Sequence, residues 1–278
     1  MTTVPLPMPV SRFTDLLATE WLKLRSLRST YWALGVSTLV VIAVNANAAR
    51  ADYVNYPHYN HVMRDQFANT ALFDAFTNGA AMILVLTAAS IGAVTVVGEY
   101  STGLVRTTFA AVPDRRALMS AKAAVVTTVM TVYGAVVASA SFAVSQAILS
   151  GRGVGLSISY PGALRVVVAS ALLAPVSALV GMAMGALIRH SATTMVLATG
   201  LLLLLPIFVT ERYHWTACVR NALPFNAWDR LVQVNYGRMP YTLAERYPTT
   251  VGGAWTVFAV WGVVAMLVTV VAVDRRDV

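Results

Sequence analysis

Charged residues are scarce in this 278-residue chain, and six stretches contain none at all. Only 12% of the residues are Asp, Glu, Lys or Arg, whereas a soluble domain carries about a quarter. A helix needs about 20 residues to cross the hydrocarbon core of a bilayer, where an unpaired ion is costly. The uncharged stretches therefore predict six spanning helices, at 29–49, 75–98, 123–151, 166–188, 190–210 and 247–273.

Cysteine and lysine are almost missing as well. The single cysteine, Cys218, cannot form an intramolecular disulfide, and no Cys/His cluster indicates a metal. Neither of the two lysines, Lys23 and Lys122, lies in a glycine-rich phosphate-binding loop, so nucleotide hydrolysis is expected in another polypeptide. The net charge of +8 is spread over all connections, which favours anionic lipid headgroups over nucleic acid as a partner.

The lack of charge inside the spans bears on function. Ion-driven transporters generally keep ionisable side chains at mid-membrane, so the sequence weighs against this class, which stays open because backbone carbonyls can also bind sodium. A membrane-embedded enzyme is a further alternative. Its only motif is the pair His58 and His61, which has no clear third ligand.

Residues 11–28 have the periodicity of an amphipathic helix lying in the headgroup layer. We expect the chain to turn at Ser29 and Thr30 into the first span, while residues 1–10 carry three prolines and are predicted to be disordered. The apolar side comprises Phe13, Leu16, Leu17, Trp21, Leu24 and Leu27, and the polar side comprises Arg12, Asp15, Thr19 and Lys23.

Glu20 falls inside the apolar arc of this helix. Its carboxylate either reaches back to water or forms a salt bridge with a neighbouring segment, for which Arg106 and Arg116 are the candidates.

The distribution of basic residues predicts the orientation. With the N-terminus inside, eleven Lys and Arg residues are cytoplasmic and nine are outside, and five of those nine lie in one long connection, 211–246. Six spans then place both termini in the cytoplasm.

The connection after the second span predicts two helices separated by a proline. Residues 99–111 are expected to form one helix across the membrane face, and Pro113 ends it and suits the start of the next. The carboxylate of Asp114 interacts favourably with the dipole at the N-terminus of this second helix, which runs through Lys122 into the third span. Glu99, at the end of an apolar helix, is expected to pair with Arg106 or with a basic residue of the N-terminal helix.

The order of residues in this connection resembles the type 2 export permeases of ATP-binding cassette transporters, and the N-terminal helix resembles their elbow helix. The resemblance covers nearly the whole chain in the order of its helices and connections, and it implies that residues 29–278 form the permease domain. The resemblance is carried by Glu99, Tyr100, Gly103, Arg106, Pro113, Arg115, Arg116 and Lys122, and in the elbow by Glu20, Trp21, Lys23 and Arg25.

The resemblance implies an all-α integral membrane protein of the bacterial plasma membrane, with an elbow helix and six spans. The 99–111 segment would be a coupling helix that docks on a separate ATPase subunit, which binds the ATP. A second permease copy or a relative would complete the pathway, and the cargo is expected to be a hydrophobic or amphipathic compound such as a drug or antibiotic. The alternative role for the basic residues is anchoring to lipid headgroups.

Several residues within the spans predict packing or kinks. Gly181 and Gly185 form a GxxxG motif for close helix approach, which we expect to be used within the chain. Pro175 and Pro206 can kink spans four and five. Polar residues that need partners or could line a pathway are Asn45, Asn47, Asn78, Gln146, Thr87, Thr95 and the Ser139–Ser145 face.

The connection 211–246 is rich in aromatic residues, which sit at membrane interfaces. In the resembled family this region forms short re-entrant helices, and a plain interfacial loop is the alternative.

Overall fold

Helices make up all the regular structure in the part of the chain that the computed structural model describes, residues 12–104, 114–210, 213–234 and 247–275. Six segments are long and apolar enough to cross a membrane, which confirms the predicted number of spans and is typical of a multi-pass membrane protein. They are Arg28–His58, Phe67–Ser101, Arg115–Ser150, Ala163–Ile188, Ser191–Phe208 and Val251–Val273.

The first half of the chain supplies α1 to α5. Leu27 is extended between α1 and α2, so the turn precedes Arg28 and lies before the predicted Ser29–Thr30. A short 3₁₀ turn, Tyr56–His58, follows α2. The helices are α1 (Phe13–Ser26), α2 (Arg28–Asn55), α3 (His61–Asp65), α4 (Phe67–Asp74) and α5 (Asn78–Ser101).

The second half supplies α6 to α12. These are α6 (Arg115–Ser150), α7 (Ala163–Ile188), α8 (Ser191–Thr199), α9 (Leu205–Phe208), α10 (His214–Asn221), α11 (Pro224–Val232) and α12 (Val251–Arg275). Between α8 and α9 the backbone forms a π-helical turn, Gly200–Leu204. Two short helices, α10 and α11, therefore lie within the aromatic connection 211–246, of which residues 211–212 and 235–246 fall outside the described residues.

Helix α7 is the centre of the bundle. It packs against α5, α6, α8, α11 and α12. The most apolar part of α7 is 89% buried, compared with 17% for the span that begins with α8. The apolar part of α7 is surrounded by protein on all sides, whereas the α8–α9 span presents most of its surface outward.

Glycine allows α5 and α7 to approach closely. A Cβ atom at Gly181 would lie 2.0 Å from the Ala89 carbonyl oxygen, and one at Gly92 would lie 2.0 Å from the Ala178 oxygen. At Gly185 it would meet Val97 and Ala93 at 3.1 and 3.2 Å. The predicted use of Gly181 and Gly185 in packing within the chain is confirmed.

The two span prolines have different effects. Pro206 follows the π-helical turn, as expected where a residue without an N–H interrupts the hydrogen-bond ladder. Helix α7 continues through Pro175 without a break. Pro175 cannot donate to the Ala171 carbonyl four residues earlier, and Gly134 of α6 lies against that oxygen.

The tight α5–α7 contact predicts that Gly181→Ala destabilises the bundle by about 1–3 kcal/mol, because the added methyl group overlaps a backbone oxygen. Unfolding in sodium dodecyl sulfate measures this loss. Gly262→Ala in α12 is the matched control, since nothing lies within 4 Å of its Cβ position. Equal stability of the two variants would contradict the packing described here.

Candidate functional site

The inner surface of α1 is a single stripe of residues spaced by four. Leu16, Glu20 and Leu24 are buried, because α1 lies along the first turns of α6. Phe13 and Trp21 are 47% and 48% exposed. The predicted apolar side is therefore divided. Leu16 and Leu24 pack against protein, whereas Phe13 and Trp21 lie on the outer surface of the helix.

Four charged side chains meet where α1, the end of α5 and the start of α6 come together. Lys122 donates to Glu20 at 2.5 Å and to Glu99 at 2.9 Å. Lys23 donates to the same two carboxylates, at 2.7 Å to Glu20 and 2.9 Å to Glu99. Each lysine thus bridges both glutamates, and we call this arrangement the charge network.

The charge network is largely shielded from solvent. The side chains of Glu20, Lys122 and Glu99 are 3%, 4% and 11% exposed, and that of Lys23 is 38% exposed. Its formal charge is zero, with two carboxylates and two ammonium groups. Each buried ion depends on the others, because removing one partner of a buried pair leaves an uncompensated charge.

Lys23 is the network member that lies outside the spanning helices. Burial alone would lower the pKa of this lysine, but hydrogen bonds and charge attraction from Glu20 and Glu99 outweigh it and raise the pKa. Lys23 is therefore cationic at neutral pH and can bridge the two carboxylates.

The charge network settles two expectations about the glutamates. Glu20 does not reach back to water, and its partners are Lys122 and Lys23, not Arg116. Glu99 pairs with a basic residue of the N-terminal helix, as one of the two expectations had it. Arg106 lies outside the described residues.

The contacts of Lys23 and Lys122 differ from those that the sequence predicts. Lys23 was assigned to the polar side of α1, but it turns towards the protein because two carboxylates attract it. The sequence places Lys122 in a helix that runs into the third span, which is confirmed, and among the residues that carry the family resemblance. The signal for its role was its position, since it is the last charge before a long uncharged run.

The connection after the second span differs from expectation at its start. Glu99, Tyr100 and Ser101 form the last turn of α5, so they do not begin a separate helix. Gly103 follows with φ of +72°, a left-handed conformation that breaks the helix and suits glycine. The rest of the predicted 99–111 helix and Pro113 lie outside the described residues.

The next helix begins as the sequence predicted. The Asp114 carboxylate accepts a hydrogen bond from the Ala117 N–H and caps α6. Arg115 and Arg116 follow in its first turn.

Tyr100 and Arg189 form a second contact at this end of the bundle. The Arg189 guanidinium lies 4.8 Å from the centre of the Tyr100 ring, in a cation–π arrangement. Arg189 itself has φ of +60° at the end of α7. Tyr100, predicted as a coupling residue, thus joins the end of α5 to the end of α7.

A small cavity of about 30 Å³ adjoins the charge network. Glu20, Lys122 and Thr95 contribute its polar lining, and its remaining walls are apolar. The cavity is large enough for one water molecule, to which the third N–H of the Lys122 ammonium group can donate a hydrogen bond.

Two buried amide side chains deeper in the bundle are paired. Asn45, only 1% exposed, donates to Ser141 and accepts from the Thr77 backbone and hydroxyl. Gln146 is likewise buried and bonds the Ala71 carbonyl and the Leu156 N–H. These two residues lie in the core, not at water-exposed span ends.

The predicted Ser139–Ser145 face is not a single face, because Ser139 is exposed while Ser141 and Ser145 are buried. Thr87 and Thr95 are half-buried. The cavity beside Asn45 and Ser141 measures about 20 Å³, which is too small for a cargo molecule.

Helix α11 is fixed against this core. The Trp228 indole N–H donates to Ser170 at 3.0 Å, and Arg165 of α7 donates to the carbonyls of Leu231 and Gln233.

His58 and His61, the motif behind the enzyme alternative, are exposed beyond the end of α2. Within the described residues no three potential ligands come together as a metal site.

No protein-family model and no curated protein matches the sequence. The site is therefore interpreted from its own geometry.

The charge network predicts that Lys122→Met is strongly destabilising, by about 3–5 kcal/mol, because Glu20 would be left buried without its main partner. Detergent unfolding measures the loss, and Arg25→Met, at an exposed position of α1, is the control. The double variant Glu20→Gln with Lys122→Met should recover part of the loss. Similar stability of Lys122→Met and Arg25→Met would refute the pairing.

Proposed function

We propose that the chain is the membrane-spanning permease subunit of an ATP-driven exporter of the type 2 export class. It forms part of the pathway for a hydrophobic or amphipathic compound, and a separate ATPase subunit supplies the energy. Six apolar helices and the arrangement of residues around Glu99 support this proposal.

The observation that carries the proposal is the charge network. It ties α1, the last turn of α5 and the start of α6 into one unit through four charge-assisted hydrogen bonds. The proposed coupling segment, 99–122, begins inside this unit at Glu99. A partner that pushes on the segment would therefore move two spans and α1 together.

The remaining parts of the proposal follow from the sequence. Both termini are cytoplasmic, in the bacterial plasma membrane, and α1 is the elbow helix in the inner headgroup layer, with exposed Trp21 towards lipid. The ATPase docks on the connection that contains Tyr100, Gly103 and Arg106. A second copy or a related permease completes the pathway.

Arg115 and Arg116 have two candidate roles within this scheme. They contact the ATPase surface, or they anchor the start of α6 to anionic headgroups. Substituting both with Gln separates the roles, since loss of ATPase association supports docking and unchanged association supports anchoring.

The class is tested by purification with partners. Extraction of the chain from its native membrane should bring an ATPase subunit along, and the complex should hydrolyse ATP faster when an amphipathic cargo is added. A stable, active chain with no ATPase partner would favour ion-driven transport or a membrane enzyme instead.

Within that complex we predict that Glu99→Ala reduces cargo-stimulated ATP hydrolysis by about tenfold or more. A hydrogen bond to a charged group contributes about 1.5–3 kcal/mol, and about 1.4 kcal/mol corresponds to a factor of ten. Glu99 accepts two such bonds, from Lys23 and Lys122.

The control is Asp15→Asn, which removes an exposed carboxylate from α1. Both variants must retain the ATPase in equal amounts, so that loss of coupling is separated from loss of assembly. Unchanged stimulation in Glu99→Ala would reject the coupling role of the network.

A further inference from the structure

Two carboxyl groups meet at the end of the bundle opposite the charge network. Asp52 lies in the last turn of α2, and Asp74 is the last residue of α4. The helices α2 and α4 pack against each other, and Asp52 is the charged group that acts on the Asp74 carboxyl. Asp74 is only 5% exposed, and its Oδ2 atom has no hydrogen-bond donor.

Tyr59 supplies a hydroxyl donor to this pair. Its hydroxyl donates to Asp52 Oδ1 at 2.5 Å. Burial, together with the bond to Asp52, raises the pKa of Tyr59, so the phenol keeps its proton. The bond goes to Asp52, and Asp74 Oδ2 has no donor among the described residues.

The nearby cations are engaged elsewhere. Arg64 of α3 lies over the Tyr56 ring and donates to the Pro57 carbonyl. Arg152, after α6, lies over the Tyr53 ring and donates to the Tyr53 carbonyl.

The other charged and polar groups around the pair do not form an ion pair with it in the described part of the chain. Arg50 and Asp65 are exposed, and from α6 the neutral Gln146 bonds α4. Among the described residues no ion pair joins a cation to Asp52 or Asp74.

Two ionised carboxylates in contact repel each other, and burial of one adds a desolvation cost. Both carboxyls also lie at helix C-termini, where the helix dipole disfavours negative charge. Since no ion pair reaches either carboxyl in the described part of the chain, a shared proton is an arrangement that relieves all three costs.

We propose that Asp52 and Asp74 form a proton-binding site that holds one proton between them at neutral pH. The proton completes a hydrogen bond that fastens α4 to the end of α2. Its release to solvent at higher pH places two like charges in contact and loosens this end of the bundle. The site does not depend on the proposed export function.

Infrared spectroscopy of the purified full-length chain in lipid nanodiscs tests the site directly. The wild type should show the absorption of a protonated carboxyl group at neutral pH, and the band should disappear on titration to alkaline pH. Asp74→Asn, which keeps a donor in place of the shared proton, should lack the band. Asp65→Asn, which removes an exposed carboxylate of α3, should retain it.

Thermal unfolding gives a second readout. The native pair binds one proton more than the unfolded chain at neutral pH, since free Asp has a pKa of about 3.9, so stability falls as pH rises through the titration of the pair. The fall should be absent in Asp74→Asn and present in Asp65→Asn.

Three results would overturn the proposal. One is a wild-type spectrum with no protonated carboxyl at neutral pH, which needs no variant and so holds even if Asp74→Asn fails to fold. Another is an unchanged band in folded Asp74→Asn. The third is stabilisation when sodium replaces choline at equal ionic strength together with absence of the band, which would show two ionised carboxylates holding a metal cation.

Discussion

The sharing of two buried glutamates by two lysines is the interaction on which the organisation of one end of this protein depends. Glu20 and Lys122 are nearly inaccessible to solvent, so neither charge is tolerable without the other. The cost of burying them is offset only when α1, α5 and α6 are all in place. The network therefore specifies one mutual arrangement of three helices more strongly than it adds to net stability.

The tight contact between α5 and α7 extends this constraint along the bundle. Gly92 and Gly181 let the two helices meet backbone to backbone, and side-chain flexibility cannot absorb a shift in such a contact. Since α5 also carries Glu99, a displacement at the charge network is transmitted to α7 at the centre. Tyr100 and Arg189 add a second link between the same helices.

The sequence predicted the parts of this structure that depend on local chemistry. Uncharged runs marked the six spans, Asp114 marked the start of α6, and the GxxxG motif marked a packing face, because each signal lies within one helix. The partners of Glu20 could not be predicted, since they depend on how α1 lies against α6. Only a tertiary contact distinguishes Lys122 from the arginines near it.

The two ends of the bundle handle buried carboxylates in different ways. At the charge network, lysines from α1 and α6 form ion pairs with Glu20 and Glu99 and join three helices. Beside Asp52 and Asp74, Arg64 and Arg152 stack on tyrosines, and the neutralising group that we propose there is a shared proton. Rigidity is therefore expected at the end that would receive mechanical force, and sensitivity to pH is expected at the other.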